Sequence, residues 1–226
     1  MQGLARFAVY YTAPGALGDF GAAWLGWDVA AGRAVPQPRI DGLDMAALTD
    51  TPRRYGFHAT MKAPFRLAGE RAALEAAFAN FCATEAAFGL AGGLRLARLG
   101  GGFLALIPTA RSAALAGLEA RLVAALDRFR APLTPAEIAR RNPDRLSPRQ
   151  RDHLQRWGYP HVMEDFQFHM TLTGNLDADT AARASAALEP RLAPLLADPQ
   201  PIEALSLMGE DAEGRFHLIR RLPLSA

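Results

Sequence analysis

Two stretches of the chain alternate apolar and polar positions with a period of two. In the first, Tyr55, Phe57, Ala59 and Met61 share one side, while Arg54, His58, Thr60 and Lys62 share the other, with Gly56 between them. In the second, Phe166, Phe168, Met170 and Leu172 share one side, and Gln167, His169, Thr171 and Thr173 the other. A period of two is the signature of a strand with one face in a core and one face out of it. The pattern predicts strands through "YGFHATMKAPFRL" and "DFQFHMTLTG", the first ending near Pro64. Each polar face carries a histidine followed two residues later by a threonine, His58-Ala59-Thr60 and His169-Met170-Thr171, and a phenylalanine precedes each histidine.

The remaining pattern places these strands in a repeated order. "RFAVYYT" (6–12) predicts an early strand, and residues 13–52 mix glycine, proline and short apolar pieces around one helix. After His58 come a helix, "GERAALEAAFANFCATEAAF", and a hairpin whose turn lies near Gly100. After His169 come a helix over 177–197 and a hairpin, "PIEALSLMG" to "GRFHLIRRLPL", whose turn lies near Asp211. The two spacings, 58 to 100 and 169 to 211, are equal. Ser112 caps a further helix, "SAALAGLEARLVAALDRFR". Between the repeats, residues 131–160 form a proline-bounded excursion. Thr134-Pro135-Ala136-Glu137 and Ser147-Pro148-Arg149-Gln150 each predict a helix start, and Gly158 a helix end. These readings predict an α+β fold in one bilobed domain over 1–226, with two pseudo-symmetric antiparallel sheets facing a central cleft and helices outside. The expected lobes are about 13–130 and 161–226, with the strand 6–12 assigned to neither.

Composition narrows the function. Half of the 226 residues are hydrophobic and 21% are charged, enough to build a core and inconsistent with disorder. A net charge of +2 is too small for a nucleic-acid coat or a polybasic membrane surface. Cys82 is the single cysteine, so no intrachain disulfide forms, and its apolar surroundings predict a buried thiol. The N-terminus lacks a signal-peptide pattern and no run approaches the ~20 apolar residues of a membrane span. The expected location is cytoplasmic.

Two histidines across a cleft suit proton chemistry, because the free imidazole titrates near pH 6.5. One neutral ring can take a proton from water and one charged ring can give a proton to a leaving oxygen. A threonine hydroxyl on the same face donates to non-bridging phosphate oxygens. The bland alternative is two solvated strand faces. Lys62 is the one lysine among 25 basic residues. It shares the predicted face of His58 and Thr60, as does Arg54. Both are candidate substrate-binding residues, with a solvated strand-end lysine as the equal alternative.

Paired His-x-Thr strands in two pseudo-symmetric lobes resemble the 2H phosphoesterase superfamily. The wider segments "RYGFHATMKAPF" and "SPRQRDHLQRWGYPHV…FQFHMTLTG" resemble a branch of it commonly encoded with phosphonate-degradation genes. The resemblance runs from "RFAVYYTAP" to the last hairpin. It implies a bilobed α+β fold, no metal or other cofactor, and the opening or formation of cyclic phosphodiesters. It makes His58 and His169 the acid–base pair and Thr60 and Thr171 the phosphate donors, without saying which histidine takes which role.

Other chemistry has less behind it. No His-Glu-x-x-His or cysteine pair offers a metal set, and His161, Glu164 and Asp165 in "HVMED" read as a strand entry. "LGGGF" (99–103) precedes a predicted strand, whereas a phosphate loop requires a helix. No G-x-S-x-G elbow is present. His153 lies in the excursion and His217 on the last hairpin. The six arginines between Arg140 and Arg156, with Trp157 and Tyr159, make the excursion either a lid over substrate or a charged surface helix pair. The sequence therefore predicts a metal-independent cyclic phosphodiesterase acting on a small sugar or nucleotide ester, within phosphonate metabolism, with a bell-shaped pH profile near neutrality. The alternative is a non-catalytic module holding a phosphorylated metabolite or, less favoured, an RNA end. No membrane partner is expected, and the sequence is silent on oligomeric state.

Overall fold

The structure, a computed structural model, describes residues 3–226. Seven strands form one antiparallel sheet in the order β11-β10-β1-β4-β8-β7-β6. They are β1 (Arg6–Tyr11), β4 (Ala59–Phe65), β6 (Leu94–Arg98), β7 (Leu104–Pro108), β8 (Met170–Thr171), β10 (Ala204–Glu210) and β11 (Phe216–Pro223). The sheet is two half-sheets, β11-β10-β1-β4 and β8-β7-β6, joined among the described residues by a single registered pair, Ala59 with Met170. The principal helices are α1 (Gly15–Leu25), α4 (Arg71–Thr84), α5 (Ala113–Leu126), α7 (Pro148–Trp157) and α8 (Ala178–Leu192). Short elements complete the chain: β2 (Trp27–Asp28), β3 (Arg33–Ala34), α2 (Met45–Leu48), α3 (Asp50–Arg53), β5 (Phe88–Leu90), α6 (Pro135–Ala139) and β9 (Gln200–Ile202).

One face of the sheet is apolar and the other is not. Phe7, Val9 and Tyr11 of β1 point with Ala59, Met170, Leu205 and Leu207 into a core completed by Leu74 and Phe78 of α4, Leu118 and Leu122 of α5, and Leu188 of α8. Ala8, Tyr10, Met208 and Phe216 form a small separate cluster. Burying the first face leaves His58, Thr60, His169 and Thr171 on the second, which is the alternation the sequence predicts.

The halves of the sheet are not the contiguous lobes 13–130 and 161–226. The β6–β7 hairpin, which follows His58 in sequence, pairs with β8 beside His169. The β10–β11 hairpin, which follows His169, joins β4 through β1, so residues 6–11 have a definite place in the His58 half. The repeat itself is real: β5 and β9 stand at matching points of the two arms and pair with each other. Pattern shows that a strand exists, whereas pairing between distant strands is set by packing.

Two local departures bear on the site. The strand patterns around 55–65 and 166–173 shorten to 59–65 and 170–171, so each histidine sits just before its strand. Each imidazole Nδ1 lies within hydrogen-bond distance of the carbonyl two residues back, which curls the chain there (2.9 Å for His58 to Gly56, 2.8 Å for His169 to Gln167). The second departure is a β-bulge. Tyr10 pairs with Thr60 but Val9 pairs with Lys62, so one extra residue flips the alternation between them. Lys62 therefore turns to the core side, 3% exposed, with Nζ on Asp127 (3.3 Å) and the Val123 carbonyl (3.2 Å) of α5 and its C-terminal turn. It is not at the substrate face where simple alternation puts it. The helix expected over 177–197 ends at Leu192 and continues as a 3-10 turn over 193–195, while both capping boxes of the excursion and its Gly158 end form as predicted.

Burial lowers the Lys62 ammonium to about 8, with the Asp127 carboxylate resisting the fall. Lys62→Ala is expected to lower stability by about 2–3 kcal/mol, since Asp127 keeps Arg130 as a partner. KM for any phosphate ester should stay within about twofold. Urea midpoints and steady-state kinetics on the same preparation check both, and a large KM change at unaltered stability would return Lys62 to the substrate face.

Candidate functional site

The pairing of Ala59 with Met170 sets the geometry of all four motif residues. These are the spacers of the two His-x-Thr motifs, and both are fully buried. In antiparallel register, a pair at the spacers sets His58 opposite Thr171 and Thr60 opposite His169. Each histidine thus faces the other motif's threonine. Directly opposed residues stand ~4.5–5.5 Å apart at Cβ and diagonal ones ~7–8 Å, so the two histidines occupy one diagonal of a quadrilateral and the two threonines the other. The cavities follow this crossing. One, of about 310 Å³, is lined by Thr60 and His169 together with Glu119, Gln150, Tyr159 and His161. A second, of about 260 Å³, is lined by His58 and Thr171 with Tyr55, Phe103 and Asn175.

Both imidazoles are held from behind. With Nδ1–H donating to the Gly56 carbonyl, His58 presents Nε2 forward as an acceptor, and Thr60 Oγ1 stands 3.2 Å from it. The Gly56 anchor requires glycine: its φ is +72°, and a Cβ there would meet Val29 at 2.1 Å. Tyr10 stacks on the His58 ring at 3.7 Å between centroids. His169 Nδ1 donates to the Gln167 carbonyl, leaving Nε2 forward, and its ring lies 5.9 Å from that of Phe103. Burial pushes the His58 imidazolium down to about 4; the Gly56 carbonyl resists and a charge on His169 adds to the fall.

The other candidates separate cleanly. The Arg54 side chain is 62% exposed and pairs with Asp50 at 3.7 Å, lining neither cavity. Arg149 is held by both oxygens of Asp165 at 2.8 Å, and His153 lies between Glu164 and Asp165. His217 is bound to Asp211. Cys82 is buried and its thiol is pushed up to about 12 by desolvation. Among the described residues no three His, Cys, Asp or Glu side chains converge as a metal set, and no helix is long and apolar enough to cross a membrane. The excursion does reach the cavity, through Gln150 and Tyr159, with His161 just beyond its end and the Arg141 guanidinium 4.8 Å over the Tyr159 ring.

Sequence reasoning misses Tyr10 and Glu119. Tyr10 leaves no signal beyond sharing a face with Ala8. Glu119 does leave one: it interrupts the apolar stripe Leu115, Leu118, Leu122, Leu126 of α5 and is 1% exposed.

Because His58 binds its proton more weakly folded than unfolded, the unfolded chain protonates first as pH falls. The stability His58 contributes is complete above about 6.5 and is lost as pH drops from there toward 4. His58→Gln should flatten that part of the stability profile, read from urea midpoints between pH 7 and 4. Equal slopes in the two proteins would contradict the burial assigned to His58.

Comparison with known proteins adds relatives for the whole chain. Ribose 1,5-bisphosphate phosphokinase PhnN of Janthinobacterium sp. (strain Marseille) is 39% identical over 239 residues, covering 99% of this chain and 52% of that protein. The protein of the same name from Laribacter hongkongensis (strain HLHK9) is 36% identical over 224 residues, covering 95% of this chain and 51% of that protein. The chain thus spans about half the length of the curated relatives it matches. Among solved structures, E. coli LigT complexed with 3′-AMP aligns over 99% of this chain and all of its own at 14% identity, with a TM-score of 0.48. A chain described as a phosphoesterase aligns over 99% of this chain and all of its own at 13% identity, with a TM-score of 0.47. Residues 60–217, well over half the chain, match the family model described as protein of unknown function (DUF1045), and the chain belongs to that family.

Proposed function

We propose that the protein is a metal-independent 2H-type phosphodiesterase that opens a small cyclic phosphate on a sugar, with His58 as base and His169 as acid. The observation that carries the reading is the crosswise placement of His58, Thr171, Thr60 and His169 around the Ala59–Met170 pair. In-line displacement at phosphorus needs the attacking and leaving oxygens on opposite sides of the phosphoryl group. Histidines on one diagonal meet those two oxygens, and threonines on the other meet the non-bridging oxygens.

The roles follow from the environment of His58. Lowered to about 4 by burial, it is neutral at pH 7, with Nε2 an acceptor that the Thr60 hydroxyl occupies until substrate arrives. It takes the proton of a water whose oxygen bonds to phosphorus. The bond from phosphorus to one ring oxygen breaks, and His169 Nε2–H protonates that oxygen as it leaves. The product is a phosphomonoester with one freed hydroxyl, and the two histidines exchange protons with solvent to reset. Thr60 releases the His58 nitrogen and turns to the phosphoryl oxygen when substrate binds.

The relatives' name supports a ribose phosphate as the sugar, and the resemblance of the segments around His58 and His169 supports phosphonate metabolism as the setting. The kinase activity in that name is not carried to these residues: the Gly-rich run 99–103 turns the β6–β7 hairpin and leads into a strand. The reading also places the reaction in the cytoplasm.

His58→Ala and His169→Ala are expected to lower turnover of a ribose cyclic phosphate by on the order of 10²–10⁴, and Thr60→Ala or Thr171→Ala by less, with the fold retained. The kcat/KM profile should rise with pH through the His58 value near 4, lower than the near-neutral limb the free imidazole suggests, and fall once the donor loses its proton. EDTA should leave the rate unchanged; loss of activity restored by Mn²⁺ or Zn²⁺ would overturn the mechanism. A protein that binds cyclic and linear ribose phosphates at this site yet opens none of a cyclic panel would be the non-catalytic module instead.

A further inference from the structure

The cavity beside Thr60 and His169 contains a carboxyl group that the proposed reaction does not use. Beyond the Ala59–Met170 pair the two half-sheets separate: β4 continues to Phe65, while the chain entering β8 runs from Phe166 to His169 outside any strand. The cavity opens in that gap, with Thr60 and Ala63 on one wall and Gln167 and His169 on the other. Glu119 of α5 reaches it from the core side.

Glu119 is 99% removed from solvent, yet only half satisfied. Oε2 accepts the backbone N–H of Met163 at 3.1 Å, and among the described residues Oε1 accepts none. The Glu119 side chain lines the cavity, together with Thr60 and His169. Met163 holds φ at +54°, a conformation disfavoured for a side chain of this size. A buried acid on an apolar helix stripe, one oxygen anchored and one open, is costly unless a ligand completes it.

The chemistry of that ligand is constrained. Once ionised, above about pH 7, the Glu119 carboxylate repels a phosphate oxygen, so the group it accepts from over Oε1 is not a second phosphate. It is a neutral hydrogen-bond donor carried a short distance from the phosphoryl group held by Thr60 and His169. Gln150 and Gln167 add amides able to donate and accept, which suits hydroxyls, groups that do both. We propose that Glu119 is a substrate-binding residue that accepts a hydrogen bond from a free sugar hydroxyl, so that the site selects hydroxylated phosphate esters over plain alkyl ones. Burial raises the Glu119 carboxyl to about 7, the Met163 amide and Lys62 resisting, so a donor hydroxyl also relieves a group that solvent no longer serves. This rests on the phosphate being held at Thr60 and His169, as in the proposed function.

The test uses equilibrium binding by calorimetry, which needs no turnover. The ligands are D-ribose 5-phosphate and ethyl phosphate, against the whole protein and Glu119→Gln, a variant of equal size that keeps an acceptor for Met163. The expected result is about tenfold weaker binding of ribose 5-phosphate to Glu119→Gln and unchanged binding of ethyl phosphate. Equal losses for both ligands, or no loss for either, would overturn the proposal, as would failure of the wild-type protein to bind ribose 5-phosphate more tightly than ethyl phosphate. If Glu119→Gln does not fold, the wild-type preference between the two ligands and its loss in Glu119→Asp decide the matter. Wild-type protein that shows this selectivity but opens no cyclic phosphate would refute the phosphodiesterase reading and leave the hydroxyl subsite standing.

Discussion

The site depends on one contact, the pairing of Ala59 with Met170. Among the described residues it is the only registered link between the two half-sheets, and it lies at the spacer of each His-x-Thr motif. Because strands alternate, burying both spacers forces the side chains of His58, Thr60, His169 and Thr171 to the opposite face. Because the pairing is antiparallel, each histidine then meets the threonine of the other motif. A slip of either strand by one residue would carry its histidine into the core. The fold protects that register from both sides: β4 is held by β1, and β8 by β7.

The exchange of hairpins between the arms reinforces the same contact. The hairpin that follows one motif in sequence completes the half-sheet of the other, β6–β7 directly beside β8 and β10–β11 beside β4 through β1, so neither arm completes its sheet alone. The approximate twofold is therefore an interlocked one, with β5 against β9 at its far side. An active site on such an axis receives one histidine and one threonine from each arm. The environments are nonetheless unequal. Tyr10 stacks on His58 and burial lowers its affinity for a proton, whereas His169 lines the cavity that Glu119, Gln150 and Gln167 share. Under the proposed reaction, that asymmetry gives two like residues unlike roles.

Much of this was legible in the residues. The alternation around His58 and His169 located both faces, and matching spacings revealed the repeat. The capping boxes at Thr134 and Ser147 gave the excursion its helices. What failed did so for physical reasons. Lys62 follows a β-bulge, and a bulge leaves no mark in a hydrophobic pattern. The hairpins joined the opposite halves because strand pairing answers to packing across the whole sheet. Tyr10 lies on a distant strand whose neighbour only the register reveals. Glu119 was visible as a charge in an apolar stripe, but its meaning needed the cavity beside it.

A crystal structure with orthovanadate bound, a mimic of phosphorus under in-line attack, tests the crosswise site most directly. The account predicts vanadium between the two motifs, with apical oxygens about 2.6–3.2 Å from Nε2 of His58 and of His169. Its equatorial oxygens should accept from Thr60 and Thr171. Vanadate held by one motif alone, or bound elsewhere on the protein while both histidines stay empty, would contradict it.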